Sequence, residues 1–476
     1  MSLFTNWLHR PLRILCGILL LALLFAPSAA RGESVWKVGI AQELITPEQP
    51  MWMSGYGSRD RPADGEKLTE LWAKAMALED AVGTRVVLVT LDLVGIDRAT
   101  AGHIQTRVAE QTGLPRQALV LSTTHTHSGP VVGDNLQSMY FLDGAAWKLI
   151  SDYTAKLESQ VVDLVSRAIA DLQIAEVSWT VGRAQFAVNR RNNPEPEVPQ
   201  RRLEARLNGP VDHDVPILVV REPLPNSGEP AHGQKIRLVV CGYACHATVL
   251  SGYQWCGDWP GYAQSALEQR YPGATAMVWV GCGADQNPLP RRDIELAKAY
   301  GAEIEQAVAA ALERPETPLS GSLAYEFAEV PLTLAMIPTR EQLVATAQSS
   351  NRYEVSRAKM LLESLERNGA LETDYPYPIQ TWQLGDGPTW VFLGGEVVVD
   401  YALRLKHELG AQPIWVAGYC NDVMAYIPSR RVLKEGGYEG GGSMVYYGLP
   451  SPWNDDVEEK IIQETHRQVV KLRDSS

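Results

Sequence analysis

One short stretch, residues 85–122, constrains the fold more than any other part of this chain. Residues 85–92 (RVVLVTLD) have the continuous apolar pattern of a buried strand. A helix is predicted from about Arg98 to Thr112, and residues 118–122 (ALVLS) form the next predicted strand. A strand, a helix and a second strand within about forty residues predict a βαβ unit with a parallel strand pair.

The alternation of strands and helices continues along the chain. Further strands are predicted at residues 35–44, 235–241, 275–280, 380–384, 389–393 and 414–417. Helices are predicted at residues 146–172, 262–271, 293–312, 339–368 and 454–473, and a polar loop is predicted at residues 185–208. Thr339 and Gln342 have the spacing of a capping box. Because no clean linker interrupts the pattern, we predict the α/β class, with mixed, partly parallel β-sheets flanked by helices, in one domain over residues 33–476.

The first residues have the layout of a cleavable secretory signal. Arg10 and Arg13 give a positive start, residues 14–25 are an apolar run, and small residues follow at positions 28–30. The run is shorter than the roughly 20 residues that cross a bilayer. We therefore predict a signal peptide at residues 1–32 and a secreted or periplasmic protein without a stable membrane span. An uncleaved N-terminal membrane anchor is the alternative.

The charge of the chain limits its partners. The formal net charge is −13, and removal of residues 1–32, which contain three arginines and no acidic residue, would leave −16. An acidic surface argues against nucleic acid as a partner and against electrostatic docking on anionic lipid. The expected partner is a small-molecule or lipid substrate, and the sequence does not define an oligomeric state.

The cysteines have several readings. Cys16 falls in the predicted signal, and five others remain: Cys241, Cys245, Cys256, Cys282 and Cys420. An odd count leaves at least one thiol free or paired with another chain. A bridge such as Cys245–Cys256 can form in an oxidising compartment. The sequence does not fix a pairing, and the lack of a CxxC pair disfavours a cysteine zinc site.

The sharpest motif is His125-Thr126-His127-Ser128-Gly129-Pro130, which follows the predicted strand at residues 118–122. Catalytic groups in α/β folds gather at the carboxyl ends of strands. Two histidines at i and i+2 on an extended segment point to opposite sides of the backbone. One of the two can therefore bind a metal ion while the other faces substrate or a second shell of residues. A pair of structural, hydrogen-bonded histidines is the alternative.

Two further residues follow predicted strands in the same way. His246 comes after the strand at residues 235–241, and Glu396 follows the strand at residues 389–393 through Gly394-Gly395. Alone, the histidine could be structural and the glutamate could belong to a turn. Together, His125, His246 and Glu396 would form a His-His-carboxylate zinc site with room for water.

Several motifs together resemble those of the neutral, non-lysosomal ceramidases. They occur in the family's order: Met53-Ser54-Gly55-Tyr56, the His125–Pro130 motif, Asn189-Arg190, Gly395-Glu396 and Tyr438-Glu439-Gly440. The resemblance covers roughly residues 36 to 450. It implies the fold of the ceramidase catalytic domain and one Zn2+ ion per chain. The implied reaction is hydrolysis of an N-acyl amide bond, from ceramide to a sphingoid base and a fatty acid.

The resemblance also implies roles for single residues. It makes His125, His246, Glu396 and Tyr426 the zinc ligands. It makes His127 the second-shell or substrate-facing histidine, and it makes Arg190 and Tyr438 groups that hold the substrate or its oxyanion. The chemistry is coherent, because zinc lowers the pKa of bound water to about 7 and polarises a carbonyl. Arg190, Tyr438 or His127 could stabilise the oxyanion, and His127 could protonate the leaving amine. For Arg190 a salt bridge is the alternative, and for the two tyrosines it is packing at the rim.

The chain departs from the family at three places. Asn287 stands where the family's Gly-Asp-Val-Ser-Pro-Asn element has its serine, so serine chemistry is not expected there, and Asp285 is expected to order the loop at residues 281–290. Asp258, in a segment typical of shorter ceramidase-like proteins, is expected to cap the helix after Pro260. A C-terminal β-sandwich domain is not expected, since only about 25 residues follow Tyr447-Gly448.

Two other functions remain open on the sequence. One is zinc-dependent hydrolysis of another small amide or ester, such as an N-acylated sugar or a peptide fragment. The other is a secreted binding module that keeps the scaffold without turnover. The intact set of His125, His127, His246 and Glu396 disfavours the binding module.

Overall fold

Strands and helices alternate through the computed structural model, which describes residues 35–223 and 234–474. The strands are β1 (Trp36–Leu44), β2 (Trp72–Glu79), β3 (Arg85–Leu91), β4 (Leu119–Thr123), β5 (Gln173–Arg183), β6 (Ala187–Asn189), β7 (Asp214–Arg221), β8 (Ile236–Tyr243), β9 (Thr275–Val280), β10 (Gln286–Pro288), β11 (Thr317–Pro318), β12 (Leu323–Thr333), β13 (Asp374–Leu384), β14 (Thr389–Leu393), β15 (Glu396–Val397), β16 (Ile414–Ala417) and β17 (Tyr426–Ile427). The helices are α1 (Arg98–Thr112), α2 (Gly144–Ala170), α3 (Val198–Leu203), α4 (Asp258–Arg270), α5 (Ile294–Leu312), α6 (Arg340–Thr346), α7 (Arg352–Asn368), α8 (Val399–Leu409), α9 (Arg430–Glu435), α10 (Met444–Tyr447) and α11 (Val457–Asp474).

The larger sheet contains the predicted βαβ unit. Its strand order is β4-β3-β2-β1-β5-β7-β8-β9, with β11 added alongside β5. β3 and β4 are parallel and are joined by α1, and β8 and β9 are a second parallel pair joined by α4. The remaining neighbours are antiparallel. The predicted α/β class with mixed sheets flanked by helices is confirmed.

The larger sheet curls, so that its two edge strands approach each other. β4 and β9 stand at opposite ends of the strand order and nevertheless contact each other. The buried ammonium of Lys74 in β2 stabilises the curled sheet. It donates to the carbonyl oxygen of Ala276 in β9 at 2.8 Å and to Glu268 in α4 at 2.7 Å. The carboxyl ends of β4 and β8 therefore lie in one region.

A smaller sheet closes this region from the other side. Its order is β12-β13-β14-β16, and β14 and β16 are parallel. Isolated bridges join the two sheets, one between Gly281 and Ala417 and one between Ser122 and Cys420. Beyond β14, the short strand β15 pairs in parallel with β17. The carboxyl end of β14 is thereby directed toward the carboxyl ends of β4 and β8.

Tryptophans pack where the two sheets meet. The rings of Trp279 in β9 and Trp390 in β14 are 5.3 Å apart, and Trp415 in β16 lies 5.3 Å from Trp390. All three side chains are buried. Such tilted and edge-on aromatic pairs bury large apolar surfaces with a defined geometry. They fix the smaller sheet against the larger one.

Two predicted elements differ in detail from the structure. The segment at residues 185–208 contains β6 and α3 and is not only a loop, because Pro199 is well placed in the first turn of a helix. The predicted helix at residues 339–368 is two helices, since Asn351 caps a new helix by accepting from the backbone N–H of Tyr353. The predicted capping box of Thr339 and Gln342 is present.

The five cysteines outside the predicted signal are buried free thiols. The bridge considered between Cys245 and Cys256 is therefore not formed. The Cys256 sulfur accepts hydrogen bonds from the Thr69 hydroxyl at 3.7 Å and from the Asp258 backbone N–H at 3.3 Å. Burial raises the pKa of Cys256 to about 12, which keeps this thiol protonated and unreactive.

The predicted signal peptide, residues 1–32, lies outside the described residues. Within residues 35–223 and 234–474, none of the helices combines the length and the apolar character that a membrane crossing requires.

The curl of the larger sheet makes a prediction about Lys74. Lys74→Ala should lower the free energy of unfolding by about 2–4 kcal/mol, because the buried Ala276 carbonyl and Glu268 lose their donor. Lys37→Ala is the matched control: Lys37 pairs with Glu79 at 2.8 Å but is 45% exposed, so its loss should cost under about 1 kcal/mol. Chemical denaturation followed by tryptophan fluorescence measures both, and equal losses would contradict the role given to Lys74.

Candidate metal centre

The segment after β4 brings two imidazoles together. His125 adopts the left-handed backbone conformation, with φ +57°. This conformation turns its ring to the same side as that of His127, and the two Nε2 atoms lie 3.2 Å apart. The prediction that the rings point to opposite sides is therefore wrong, because it assumed an extended backbone at residue 125.

His246, which follows β8, meets His125 across the curled sheet. Their ring centroids are 4.8 Å apart. The Nδ1 atom of His125 is hydrogen bonded to the carbonyl oxygen of Val94, and that of His246 to the carbonyl oxygen of Gly283 at 2.8 Å. Because a carbonyl oxygen only accepts, each ring carries its proton on Nδ1 and a lone pair on Nε2.

The carboxylate of Glu396 faces both of these lone pairs. Its Oε2 atom lies 3.2 Å from Nε2 of His125 and 3.1 Å from Nε2 of His246. Oε1 accepts a hydrogen bond from the Tyr447 hydroxyl, whereas Oε2 has no hydrogen-bond donor in the part of the chain that the structure describes. Three acceptor atoms thus meet in a buried space. They repel one another unless a cation lies between them.

The spacing of these acceptors fits a zinc ion. Two ligand atoms that are each about 2.1 Å from a tetrahedral zinc ion lie about 3.4 Å apart, close to the distances found here. Two imidazole nitrogens and a carboxylate oxygen are a donor set of catalytic zinc sites. The ring nitrogens of His125, His127 and His246 also lie within 4.8 Å of one another.

The protonation states of the cluster suit a metal ion as well. Burial and the charge of Arg190 together lower the pKa of His246 to about 4. The pKa of Glu396 lies well below its usual value: burial acts to raise it, but the adjacent His125 and His246 outweigh burial. Near neutral pH the imidazole of His246 is therefore neutral and the carboxylate is ionised, and these are the states that bind metal.

Tyr426 lies beside Glu396 because β15 and β17 pair these two residues in register. The Tyr426 hydroxyl is 3.2 Å from Nε2 of His246, and it accepts a hydrogen bond from Arg190 at 3.2 Å. The structure thus brings all four sequence-predicted ligands together.

His127 lies on the outer side of the cluster. Its ring packs on Tyr56, with centroids 4.7 Å apart, and its buried Nδ1 has no hydrogen-bond partner among the described residues. Burial lowers its pKa well below the usual value, and the neighbouring His125 and His246 lower it further. Gly55 makes room for the ring, because a Cβ atom there would lie 2.4 Å from Nδ1 of His127.

Arg190 and Tyr438 border the cluster beyond Tyr426. Arg190 donates to Glu439 at 2.7 Å and to the Asn287 side chain at 3.2 Å, so the salt bridge that was the alternative for Arg190 is present, together with its contact to Tyr426. The ring of Tyr438 lies 5.2 Å from that of Tyr426, and 44% of the residue is exposed. Tyr438 is therefore at the rim, where a substrate can reach it.

Some residues of the centre were not identified from the sequence. Tyr447 donates to Glu396, Tyr419 packs its ring 4.3 Å from that of His125, and Glu439 holds Arg190. The sequence offered only their proximity to the ceramidase-like motifs as a signal.

Two aspartates hold the loops that carry the cluster. The Asp285 carboxylate accepts from the backbone N–H of Val399 at 2.9 Å and from the Asn189 side chain at 3.0 Å. Asp285 thereby links the loop at residues 281–290 to the segment after Glu396. Asp258 does not cap a helix that starts after Pro260, because α4 already begins at Asp258. Its carboxylate instead accepts from three backbone N–H groups, those of Val249 and Leu250 just after His246 and that of Trp259 in α4.

Comparisons with known structures show that the fold is shared with ceramidases. The fold matches the crystal structure of a neutral ceramidase from Pseudomonas aeruginosa with a TM-score of 0.69 and 19% identity, over 93% of this chain and 75% of that one. A ceramidase complexed with C2 matches with the same TM-score and identity, over 93% of this chain and 76% of that one. No curated protein sequence matches the chain significantly.

The family is defined by the sequence itself. Residues 36–356 match the family described as neutral/alkaline non-lysosomal ceramidase, N-terminal. This range covers about two thirds of the chain and includes His125, His127, Arg190 and His246. The chain belongs to the neutral/alkaline non-lysosomal ceramidase family.

Proposed function

We propose that this protein is a zinc-dependent hydrolase of N-acyl amide bonds, with a ceramide-type substrate that is split into a fatty acid and a sphingoid base. The observation that carries the proposal is the meeting of the His125 and His246 Nε2 atoms with the Glu396 carboxylate in a member of the ceramidase family. The two structural matches, both described as ceramidases, also support a ceramide-type substrate.

One zinc ion per chain would be held by His125, His246, Glu396 and Tyr426. When bound, zinc supplies Lewis acidity to a carbonyl oxygen and lowers the pKa of water to about 7. The neutral His246 imidazole and the ionised Glu396 are ready to bind it. The Tyr447 hydroxyl fixes the second oxygen of Glu396, which orients the carboxylate.

The neighbouring side chains would act on the substrate. Arg190 is held in place by Glu439 and Asn287, so its guanidinium is oriented beside Tyr426 before any substrate binds. Oriented donors of this kind stabilise the negative charge that develops on an amide oxygen. Tyr438 would donate from the rim. Burial keeps His127 neutral, and its Nδ1 has no partner in the described structure, so its imidazole would accept a proton from the attacking water and then deliver it to the leaving nitrogen.

Asn287 does not weaken this proposal. Its side-chain oxygen accepts from Arg190 at 3.2 Å, so in this chain the residue at the family's serine position helps to hold the guanidinium. Hydrolysis by activated water needs no side-chain nucleophile at residue 287.

A row of aromatic rings supports an apolar acyl chain as part of the substrate. From Tyr438 the row continues to Tyr446 at 6.2 Å, then to Tyr353 at 4.9 Å, and then to Phe141 at 5.6 Å between centroids. Phe141 is 47% exposed. The sequence did not indicate an apolar surface here, because these four rings come from distant segments. A row of rings that is exposed at both ends and partly buried between them, beside a polar centre, is suited to an alkyl chain.

We also propose that the protein is exported, because a signal peptide is predicted at residues 1–32. The mature enzyme would then meet its substrate in the periplasm or outside the cell, and retention by an uncleaved N-terminal anchor is the alternative.

The ligand role of His125 is tested by metal content. The purified protein should contain about one zinc per chain, and His125→Ala should lose zinc and N-acyl hydrolysis together. His103→Ala is the control, because His103 is 67% exposed on α1, away from the cluster. Elemental analysis and a fluorogenic N-acyl sphingosine measure the two properties. Full zinc content in His125→Ala would refute the ligand assignment.

His127 is proposed to move protons and not to bind zinc. His127→Ala should therefore keep its zinc while kcat falls by about 10²- to 10⁴-fold. Loss of zinc from His127→Ala would instead show that His127 is a ligand, which its position 3.2 Å from Nε2 of His125 makes a real alternative.

Gly55 tests the placement of the His127 ring. Gly55→Ala should lower kcat by about 100-fold, because the new methyl group displaces the imidazole. Gly65→Ala is the matched control, since both glycines have positive φ, +95° and +85°, but the atom nearest to a Cβ at Gly65 is Cγ of Pro50 at 3.3 Å. Both variants should lose similar stability in thermal unfolding. An equal loss of kcat in the two would show that backbone strain, and not the ring, explains the effect.

A further inference from the structure

A hydrophilic cavity opens beside the candidate metal centre. It has a volume of about 480 Å³, and its wall includes Arg190, Asn287 and Tyr438. Arg190 and Tyr426 connect this wall to the cluster, since the Tyr426 hydroxyl lies 3.2 Å from both Arg190 and Nε2 of His246. A group bound in the cavity would therefore be separated from the proposed metal ligand Tyr426 by one side chain, that of Arg190.

Half of the residues that line the wall are charged, and their charges compensate one another. The wall contains three arginines and three glutamates: Arg190, Arg191, Arg291, Glu195, Glu435 and Glu439. Each glutamate is held by two guanidinium groups. Arg190 and Arg191 hold Glu439, Arg191 and Arg431 hold Glu435, and Arg291 and Arg292 hold Glu195.

This composition limits what the cavity can bind. Leu289 is the single aliphatic side chain of the wall, so an alkyl chain would leave the charged groups without solvent. Because the arginines and glutamates neutralise one another, the cavity offers no excess charge to an ion. It offers a fixed array of donors and acceptors, with the exposed ring of Tyr438 at its edge. Such a surface is complementary to a neutral group with many hydroxyls.

We infer that this cavity binds a polyhydroxylated part of the substrate, so that the preferred N-acyl amide carries a sugar or a sugar-like head. The inference rests on the proposed function and specifies its substrate class. The few hydroxyls of a plain ceramide head would fill only a small part of 480 Å³. The sugar could belong to a glycosylated ceramide or to a free N-acyl amino sugar, and both present the same hydroxyl-rich face.

The test combines hydrolysis with sugar binding in the zinc-loaded protein. Three substrates with the same dodecanoyl chain are compared: ceramide, glucosylceramide and N-dodecanoyl glucosamine. The expected kcat/KM is higher for at least one sugar-bearing substrate than for ceramide, and the substrate that is preferred identifies the source of the sugar. Saturation-transfer NMR with N-acetylglucosamine should show binding, and this signal should persist after zinc is removed.

Variants of the cavity wall sharpen the result. Arg291→Leu and Glu195→Gln should each raise KM for the sugar-bearing substrate about tenfold, through loss of a charged hydrogen-bonding group, and weaken the NMR signal. Arg270→Leu is the matched control, because Arg270 forms a comparable pair with Glu305 at 2.8 Å outside the cavity.

Two outcomes separate this inference from the proposed function. Hydrolysis of ceramide with equal or higher efficiency than both sugar-bearing substrates, and no sugar signal in NMR, would overturn the inference and leave the proposed function standing. Sugar binding that depends on Arg291, without hydrolysis of any of the three substrates, would contradict the proposed function and support the cavity as a sugar site.

Discussion

The structure depends on the close approach of three hydrogen-bond acceptors. Oε2 of Glu396 lies 3.2 Å from Nε2 of His125 and 3.1 Å from Nε2 of His246. Backbone carbonyl oxygens accept from Nδ1 of both rings, so each Nε2 carries a lone pair. Buried acceptors at these distances are unfavourable without a cation, because their lone pairs repel and water cannot solvate them. The surrounding chain is arranged so that this repulsion is retained, and a bound metal ion would relieve it.

The fold produces this approach by curling one sheet and closing it with another. β4 and β8 are far apart in strand order, yet contact between the edge strands β4 and β9 brings His125 and His246 to one place. The smaller sheet then presents Glu396 through β15, and the register of β15 with β17 adds Tyr426 beside it. The tryptophans between the sheets keep the carboxylate in position, so the geometry of the site depends on the packing of the core.

The sequence predicted those features that are local. The strand pattern of residues 85–92 and 118–122 predicted the parallel pair of β3 and β4, and the motif around His125 together with Gly394-Gly395 identified residues that do meet. The left-handed backbone of His125 could not be predicted, since this conformation usually favours glycine or asparagine and is imposed here by tertiary structure. Tyr447 was missed because its contact with Glu396 joins segments 51 residues apart. The signal peptide and the extent of the domain stay predictions.

One divalent ion is proposed to occupy the space between these acceptors. Anomalous diffraction at the zinc absorption edge, from crystals of the protein purified without added metal, measures this directly. The account predicts a single peak about 2.0–2.2 Å from Nε2 of His125, Nε2 of His246 and a carboxylate oxygen of Glu396. A zinc-loaded protein with no peak there, or with its peak at another group of side chains, would contradict it.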